Sequence, residues 1–440
     1  MRPRRLLVLS YFFPPLAGGG VHRVLGFTRY LPRDGWACTV VCAGEQDYWV
    51  RDPSLLERVD PATEVVRVRG GSSHAGWLRH ARSRDEAARG SRSGRSFAGL
   101  RTLSDWLLLP DSYRDWARRA ESVARARLAT GGIDALLTSS PPDSVHLAGL
   151  ALARGSALPW VADFRDPWIG LHFRTPPTAW HRARHAAMER SVVARAALVL
   201  AASRTHAEDL LALRDRRGAP LARHVEHLPN GFEPSTSLSP TLPAAVDPER
   251  PFRIVFTGTL SMMSDTVVFL DALNDVLARH SAWRDRVRVV LAGPFDSGYE
   301  RHARALGLGT VVSFPGPLPH AATRALQRDA DLLVVWKPHG EGYRTMVPGK
   351  LYEYLDSARP LLAMLDAGEE AGRMARDAGA TLVPPGARGA LAVALERAID
   401  AHATGGRTPD ARVAWLGDHT REALAHRLAG WLDGLTKGPA

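Results

Sequence analysis

Lys350 opens a helix in "MVPGKLYEYLDSARP", Met346 to Pro360. Pro348 and Gly349 clear the chain for that helix, whose first turn presents unpaired N–H groups and roughly half a positive charge. An ammonium group is poorly placed there unless an anion sits between. Two chemistries fit the spacing. A lysine beside helix N–H groups is a phosphate cradle. Alternatively, Lys350 and Glu353, three apart on the polar face, form a local ion pair worth roughly a few tenths of a kcal/mol. Leu351, Tyr354, Leu355 and Ala358 make the apolar face. A nucleoside triphosphatase loop is disfavoured, because six residues separate Gly342 from Gly349 where Walker A has four, and Leu351 stands where it has Ser or Thr.

Three other places carry candidate chemistry. In "PPLAGGGVHRVLGFTRYL", Gly18, Gly19 and Gly20 enter an amphipathic helix; such glycines admit a ligand close to the backbone or simply make a tight turn. Their spacing is not that of a dinucleotide fingerprint. Asp163, Arg165 and Asp166 in "ADFRDPW" end a strand, where they orient an acceptor hydroxyl or amine, or form a buried Asp–Arg pair. His181, His185 and Glu189 in "HRARHAAMER" share a helix face with metal-ligand character. The H-E-x-x-H motif is absent, and a solvated polar face is the expectation. There is no G-x-S-x-G elbow.

These residues need elements to hold them. Short apolar runs alternate with longer amphipathic stretches: "RRLLVLSYF", "ACTVVCAG", "IDALLTSS", "LPWVADF" and "AALVLAAS", then "FRIVFTGTL", "RVRVVLAGP", "VVSFPG", "ADLLVVWKP", "PLLAMLDAG" and "ATLVPPG". Unbroken Val, Ile and Leu runs between helices are parallel strands covered on both faces. The expected class is therefore α/β, with two doubly wound parallel-sheet domains over 1–235 and 251–415. The Pro-, Ser- and Thr-rich stretch from Phe232 to Arg250 contains the linker, 236–250, and 416–440 is a last helix that could pack back on the first domain. An arginine-rich insertion at about 72–101 reads as a solvated loop or a basic lip for an anionic acceptor or lipid.

At 440 residues the chain suits two domains of about 200 residues each. A formal charge of +11 and a pI near 10.3 favour an anionic partner: nucleic acid, an anionic membrane face or a phosphorylated small molecule. Nucleic acid fits least, since aromatic residues are not interleaved with the basic ones. Cys38 and Cys42, on one strand about 13 Å apart, are beyond disulfide reach, which favours a reducing, cytoplasmic setting. The basic, apolar amino terminus imitates a signal peptide, but Pro14 and Pro15 cut the run short. It reads as a buried first strand, with no membrane span.

Nine pieces in one order resemble the glycosyltransferases of the two-Rossmann-domain (GT-B) type, close to the family 4 retaining enzymes. They are "LSYFFPPLAGGGVHRVLGFTRYLPRDGW", "LLLPDSYRDWARRA", "TSSPPDSVHLAGL", "PWVADFRDPW", "HLPNGFEP", "FTGTL", "VVLAGP", "VSFPGPLPH" and "VPGKLYEYLDSARPLLA". The resemblance implies a nucleoside-diphosphate sugar held mainly by the second domain, a small-molecule or lipid-linked acceptor held mainly by the first, and reaction in the cleft between them. No metal or other cofactor is implied. It implies Lys350 and Arg344 on the leaving diphosphate and Glu353 on the donor ribose. Gly18, Gly19, Gly20, Gly258, Gly293, Pro317, Leu318, Gly349 and Leu351 complete the donor site.

Departures accompany it. Thr345 stands where the family often has a second glutamate, with Glu341 as an upstream substitute. "SMMSD" lacks the family's Arg and Lys. Ser139 and Ser140 stand at the family's histidine position; His146, farther on, either substitutes for it in acceptor binding or is simply packed, and packing is the expectation. A nucleotide-sugar epimerase and a catalytically silent nucleotide-sugar-binding subunit are the rival readings, and peripheral contact with an anionic membrane is compatible with the charge.

Overall fold

The computed structural model describes residues 2–17, 20–44, 51–70, 108–170, 176–234, 250–260, 265–403 and 416–437. The chain forms two compact units, Met1–Gly231 with Arg421–Ala440, and Phe232–Thr420. In the first, β1 (Arg4–Ser10), β2 (Trp36–Ala43), β3 (Glu64–Val68), β4 (Ala135–Ser140), β5 (Trp160–Phe164), β6 (Leu198–Ala201) and β7 (Val225–His227) make a parallel sheet in the order β3-β2-β1-β4-β5-β6-β7. Its helices are α1 (Val21–Tyr30), α2 (Arg114–Ala129), α3 (Ser144–Arg154), α4 (Ala179–Arg195) and α5 (Arg204–Leu211). In the second unit β8 (Phe252–Thr257), β9 (Val287–Ala292), β10 (Val312–Gly316), β11 (Leu332–Trp336), β12 (Leu361–Met364) and β13 (Thr381–Val383) pair in parallel in the order β10-β9-β8-β11-β12-β13. Around them lie α6 (Asp265–Arg279), α7 (Ser297–Ala305), α8 (His320–Arg328), α9 (Gly349–Asp356), α10 (Glu370–Asp377) and α11 (Arg388–Ala403). The last helix, α12 (Arg421–Thr436), belongs to the first unit.

Alternation along the strands explains the layers. Leu7, Leu9, Leu136 and Ala162 face one side of the first sheet and meet Trp116 of α2, Val145 of α3 and Val192 of α4. Leu6, Val8, Leu137 and Val161 face the other, where Val24 and Phe27 of α1 and Leu424 and Leu428 of α12 cover them. Each buried Leu, Val or Phe side chain contributes about 1.5–3 kcal/mol, and strands apolar on both faces are what parallel pairing requires. Cys38 and Cys42 of β2 are buried and form no disulfide. No described helix is long and apolar enough to cross a membrane.

The sequence reading differs from the structure in several places. It has no counterpart for β3 or β7, the two edge strands of the first sheet. It sets unit boundaries at 235 and 416, whereas the units divide after Gly231 and Thr420. At that point Phe232 N–H donates to His419 O at 3.2 Å, so the two passages of chain run side by side. Residues 236–249 of the expected linker, 236–250, and the insertion at about 72–101 lie outside the described residues. Ala358, expected on the buried face of α9, lies past its end with φ +54°. A side chain there is strained. Ala358→Gly is expected to stabilise the second unit by about 1 kcal/mol in chemical denaturation.

Candidate functional site

At the carboxyl ends of β8, β9 and β10 the second sheet finishes in glycines. Gly258 N–H donates to Ala292 O and Gly293 N–H to Gly316 O, both at 2.8 Å. Gly258 has φ +125° and Gly293 φ +134°, and a Cβ on Gly293 would lie 2.2 Å from Gly258 O. Only glycine permits this conformation and this approach. Lys350, in the first turn of α9, reaches over that ledge. Its Nζ lies 3.6 Å from the centroid of the Phe256 ring, and a Cβ on Gly258 would stand 2.8 Å from it. No side chain caps α9.

Although Lys350 as a residue is partly exposed, its ammonium end is enclosed by Phe256 and Gly258. Burial lowers its pKa to about 7, against an opposing pull from Glu353. A cation on an aromatic face, beside helix N–H groups and glycine backbone, is arranged to take an anion. Gly258→Ala is expected to push Lys350 off the ring and weaken binding of inorganic diphosphate, as an anionic probe, by about tenfold, near one lost charge-assisted hydrogen bond. Calorimetric titration reads that loss.

One turn along α9, Glu353 is held in place. Gln327 of α8, fully buried, donates from Nε2 to Glu353 Oε2 and to Thr257 Oγ1, each at 3.0 Å. The Tyr354 hydroxyl accepts from Thr257 N–H at 2.6 Å, which ties α9 to the end of β8. Arg324 donates to Glu353 O at 2.9 Å and pairs with Asp356. Leu351 is a correction as a ligand contact. Its side chain is buried in the core and its N–H donates to Pro348 O, so it holds the helix down.

The loop leading into α9 hangs on Lys337 at the end of β11. This buried ammonium pairs with Glu369 and donates to Tyr343 O at 2.9 Å and Pro338 O at 3.3 Å, which uses its three protons. Arg344 follows, its carbonyl accepting from Glu370 N–H at 3.3 Å and its Nε 3.7 Å from Glu341 Oε2. The Glu341 side chain is 98% exposed. Pro317 and Leu318 continue from Gly316 at the end of β10, and Gly349 is exposed at the head of α9. Sequence reasoning missed Gln327, Lys337 and Phe256. Only the polar residues interrupting apolar stretches, Gln327 on α8 and Lys337 after "LLVVW", signal them.

In the first unit Gly18 and Gly19 lie outside the described residues. Gly20 begins α1 at an ordinary φ of −71°, but a Cβ on it would lie 2.2 Å from Arg165 Nη1. Glycine there lets the guanidinium, paired with Asp166 at 3.1 Å, cross the helix start. Asp163 is a correction. It is fully buried, binds Arg23 through both oxygens, and accepts from Ser139 Oγ at 2.7 Å, so it anchors the fold and is closed to an acceptor.

His146 is likewise closed, which agrees with its packed reading and corrects the acceptor-binding one. It is fully buried against Phe164, its Nδ1 lies 2.8 Å from Thr138 Oγ1, and burial lowers its pKa to about 3. The expected solvated face of α4 is also corrected. His181, His185 and Glu189 point inward, where the Thr178 hydroxyl meets His181 Nδ1 and Trp168 Nε1 donates to His185 Nδ1 at 3.0 Å. Burial raises the Glu189 pKa to about 8. Among the described residues no three His, Cys, Asp or Glu side chains are grouped to hold a metal.

No protein-family model matches the chain, and no curated protein matches it. Solved structures do. The chain is similar to a sucrose-phosphate synthase of Thermosynechococcus elongatus, with 16% identity and a TM-score of 0.62 over 99% of this chain and 100% of that one. It is also similar to HepE of Anabaena in complex with UDP, with 14% identity and a TM-score of 0.60 over 98% and 100%. The fold is GT-B. A third GT-B likeness, to an α,α-trehalose 6-phosphate synthase of Burkholderia multivorans, has 16% identity and a TM-score of 0.60 over 99% and 97%. At these identities the likeness establishes the fold, and function must be argued from the site.

Proposed function

We propose that this GT-B chain is a glycosyltransferase that moves a sugar, a hexose in our reading, from a nucleoside diphosphate to an acceptor with retention of anomeric configuration. The observation that carries it is Lys350, an ammonium seated on Phe256 at an uncapped helix start above the Gly258–Gly293 ledge. In the reaction the anomeric C–O bond to the diphosphate breaks, a bond to the acceptor oxygen forms, and the acceptor proton leaves with the phosphate. Charge develops on the departing diphosphate, and fixed donors aimed at it are the strongest lever available. Lys350 and Arg344 take that role, so the reading calls for no metal.

Glu353, oriented by Gln327, accepts the ribose hydroxyls. Glu341 is the carboxylate we assign to the donor sugar. UDP is the first nucleotide to try, because HepE is seen in complex with UDP and glucose. A small-molecule or lipid-linked acceptor, and a cytoplasmic setting, belong to the same proposal.

The test is product analysis with a panel of nucleotide sugars. Release of nucleoside diphosphate together with a glycoside of unchanged anomeric configuration is expected. An isomerised donor would instead make the chain an epimerase, and no turnover of any donor would favour a silent binding subunit.

Protonation gives a second check. With the Lys350 pKa lowered to about 7, the amine of the free protein is largely neutral at higher pH, and binding a diphosphate must take up a proton. Affinity is therefore expected to fall as pH rises above 7, by up to about tenfold per unit. In Lys350→Met that dependence should vanish. A wild-type profile equally flat would remove Lys350 from the phosphate.

A further inference from the structure

A cavity of about 380 Å³ opens between α2, α3 and α4 of the first unit, and every residue lining it is among those described. Helical spacing builds it. Arg114 and Arg118 lie four apart on α2, Trp180, Arg184 and Met188 lie four apart on α4, and Leu147 of α3 is in the floor. Trp180 is 59% exposed, unusual for the largest apolar side chain. It meets only the edge-on ring of His181 among the ring contacts of the described residues.

The charge is one-sided. Arg114 and Arg184 have no ion-pair partner among the described residues, and Arg118 faces Asp115 at 3.8 Å in an exposed, weak pair. The one carboxylate in the lining, Glu121, is held by Arg125 at 2.7 Å. Asp111, beneath the start of α3, is occupied by the Ser144 N–H and hydroxyl.

We propose that this cavity is a ligand site for a small amphiphilic anion. An aryl or short acyl group would lie against Trp180, Leu147 and Met188, and the guanidiniums would take its phosphate or carboxylate. Indole offers a flat apolar face, and guanidinium binds oxyanions in a bidentate manner. The volume, near the lower end for ligand pockets, limits the occupant to a small group. This inference stands apart from the transferase reading, since it shares no residue with the nucleotide site.

Calorimetric titration of the full chain with naphthyl phosphate, and with inorganic phosphate as the polar probe, tests it. Saturable binding of naphthyl phosphate is expected, with inorganic phosphate at least about tenfold weaker. Trp180→Ala and Arg184→Ala, both at exposed positions, should each weaken it about tenfold. Arg182→Ala, exposed on the same helix but outside the lining, should bind as wild type.

Absence of saturable binding, or equal binding by the Trp180 and Arg184 variants, would overturn the assignment. Phosphatidylglycerol vesicles distinguish the sources of such an anion. Vesicle co-sedimentation lost in those two variants supports the site with a lipid headgroup as occupant. Naphthyl phosphate binding without co-sedimentation supports it with a soluble one.

Discussion

Lys350→Ala is expected to weaken nucleoside diphosphate binding by about 10- to 100-fold, the range for a lost hydrogen bond between charged groups. Turnover should fall further, by about 10²–10³-fold, because charge on the leaving diphosphate grows in the transition state. The fold should survive. Lys350 stands at the head of α9 while Leu351, Tyr354 and Leu355 hold the helix to the core, and its removal ends the burial of an ammonium group. Calorimetry for binding, initial rates for turnover and circular dichroism for the fold separate the three effects. A variant that is folded and binds as wild type would place the phosphate elsewhere.

The second large effect concerns stability. Arg23 is 1% and Asp163 0% exposed, and the pair is bonded through Arg23 Nε and Nη2, while Nη1 donates to Leu228 O and Pro229 O at 2.8 Å. Arg23→Ala would leave a buried carboxylate with Ser139 and two carbonyls without their donor. A loss of about 3–5 kcal/mol is expected, since removing one partner strands the other charge. Urea denaturation followed through the first unit measures it. Adding Asp163→Asn should recover a large part of the loss, and a double variant no better than the single one would show that the charge pairing is not what matters.

That pair also shows where sequence reading stops. Asp163 is two residues from Arg165, yet its partner stands 140 residues away in α1, and nothing local favours one arginine over the other. The interior strands of both sheets were legible as continuous apolar runs because both their faces are covered. The edge strands of the first sheet were not. "EVVRV" of β3 carries Glu64 and Arg67 among its valines, and β7 follows one valine with Glu226 and His227, so neither makes such a run.

In the site, Lys350 and Glu353 were visible because one helix turn sets their relation. Phe256, Gln327 and Lys337 come from β8, α8 and the end of β11, and only the folded sheet brings each to its place around α9. The polar face of α4 was misread for a related reason. Buried histidines with hydrogen-bond partners have the same spacing as solvated ones.

The most direct test of the account is thermal stabilisation of wild type and Lys350→Ala by UDP, GDP, ADP and dTDP. A nucleotide at a hundred times its dissociation constant should add about 2.7 kcal/mol to the wild type. The account predicts that at least one does so, and that at the same concentration the lysine variant gains far less. Stabilisation of neither protein by any of the four, or of both equally, would contradict it.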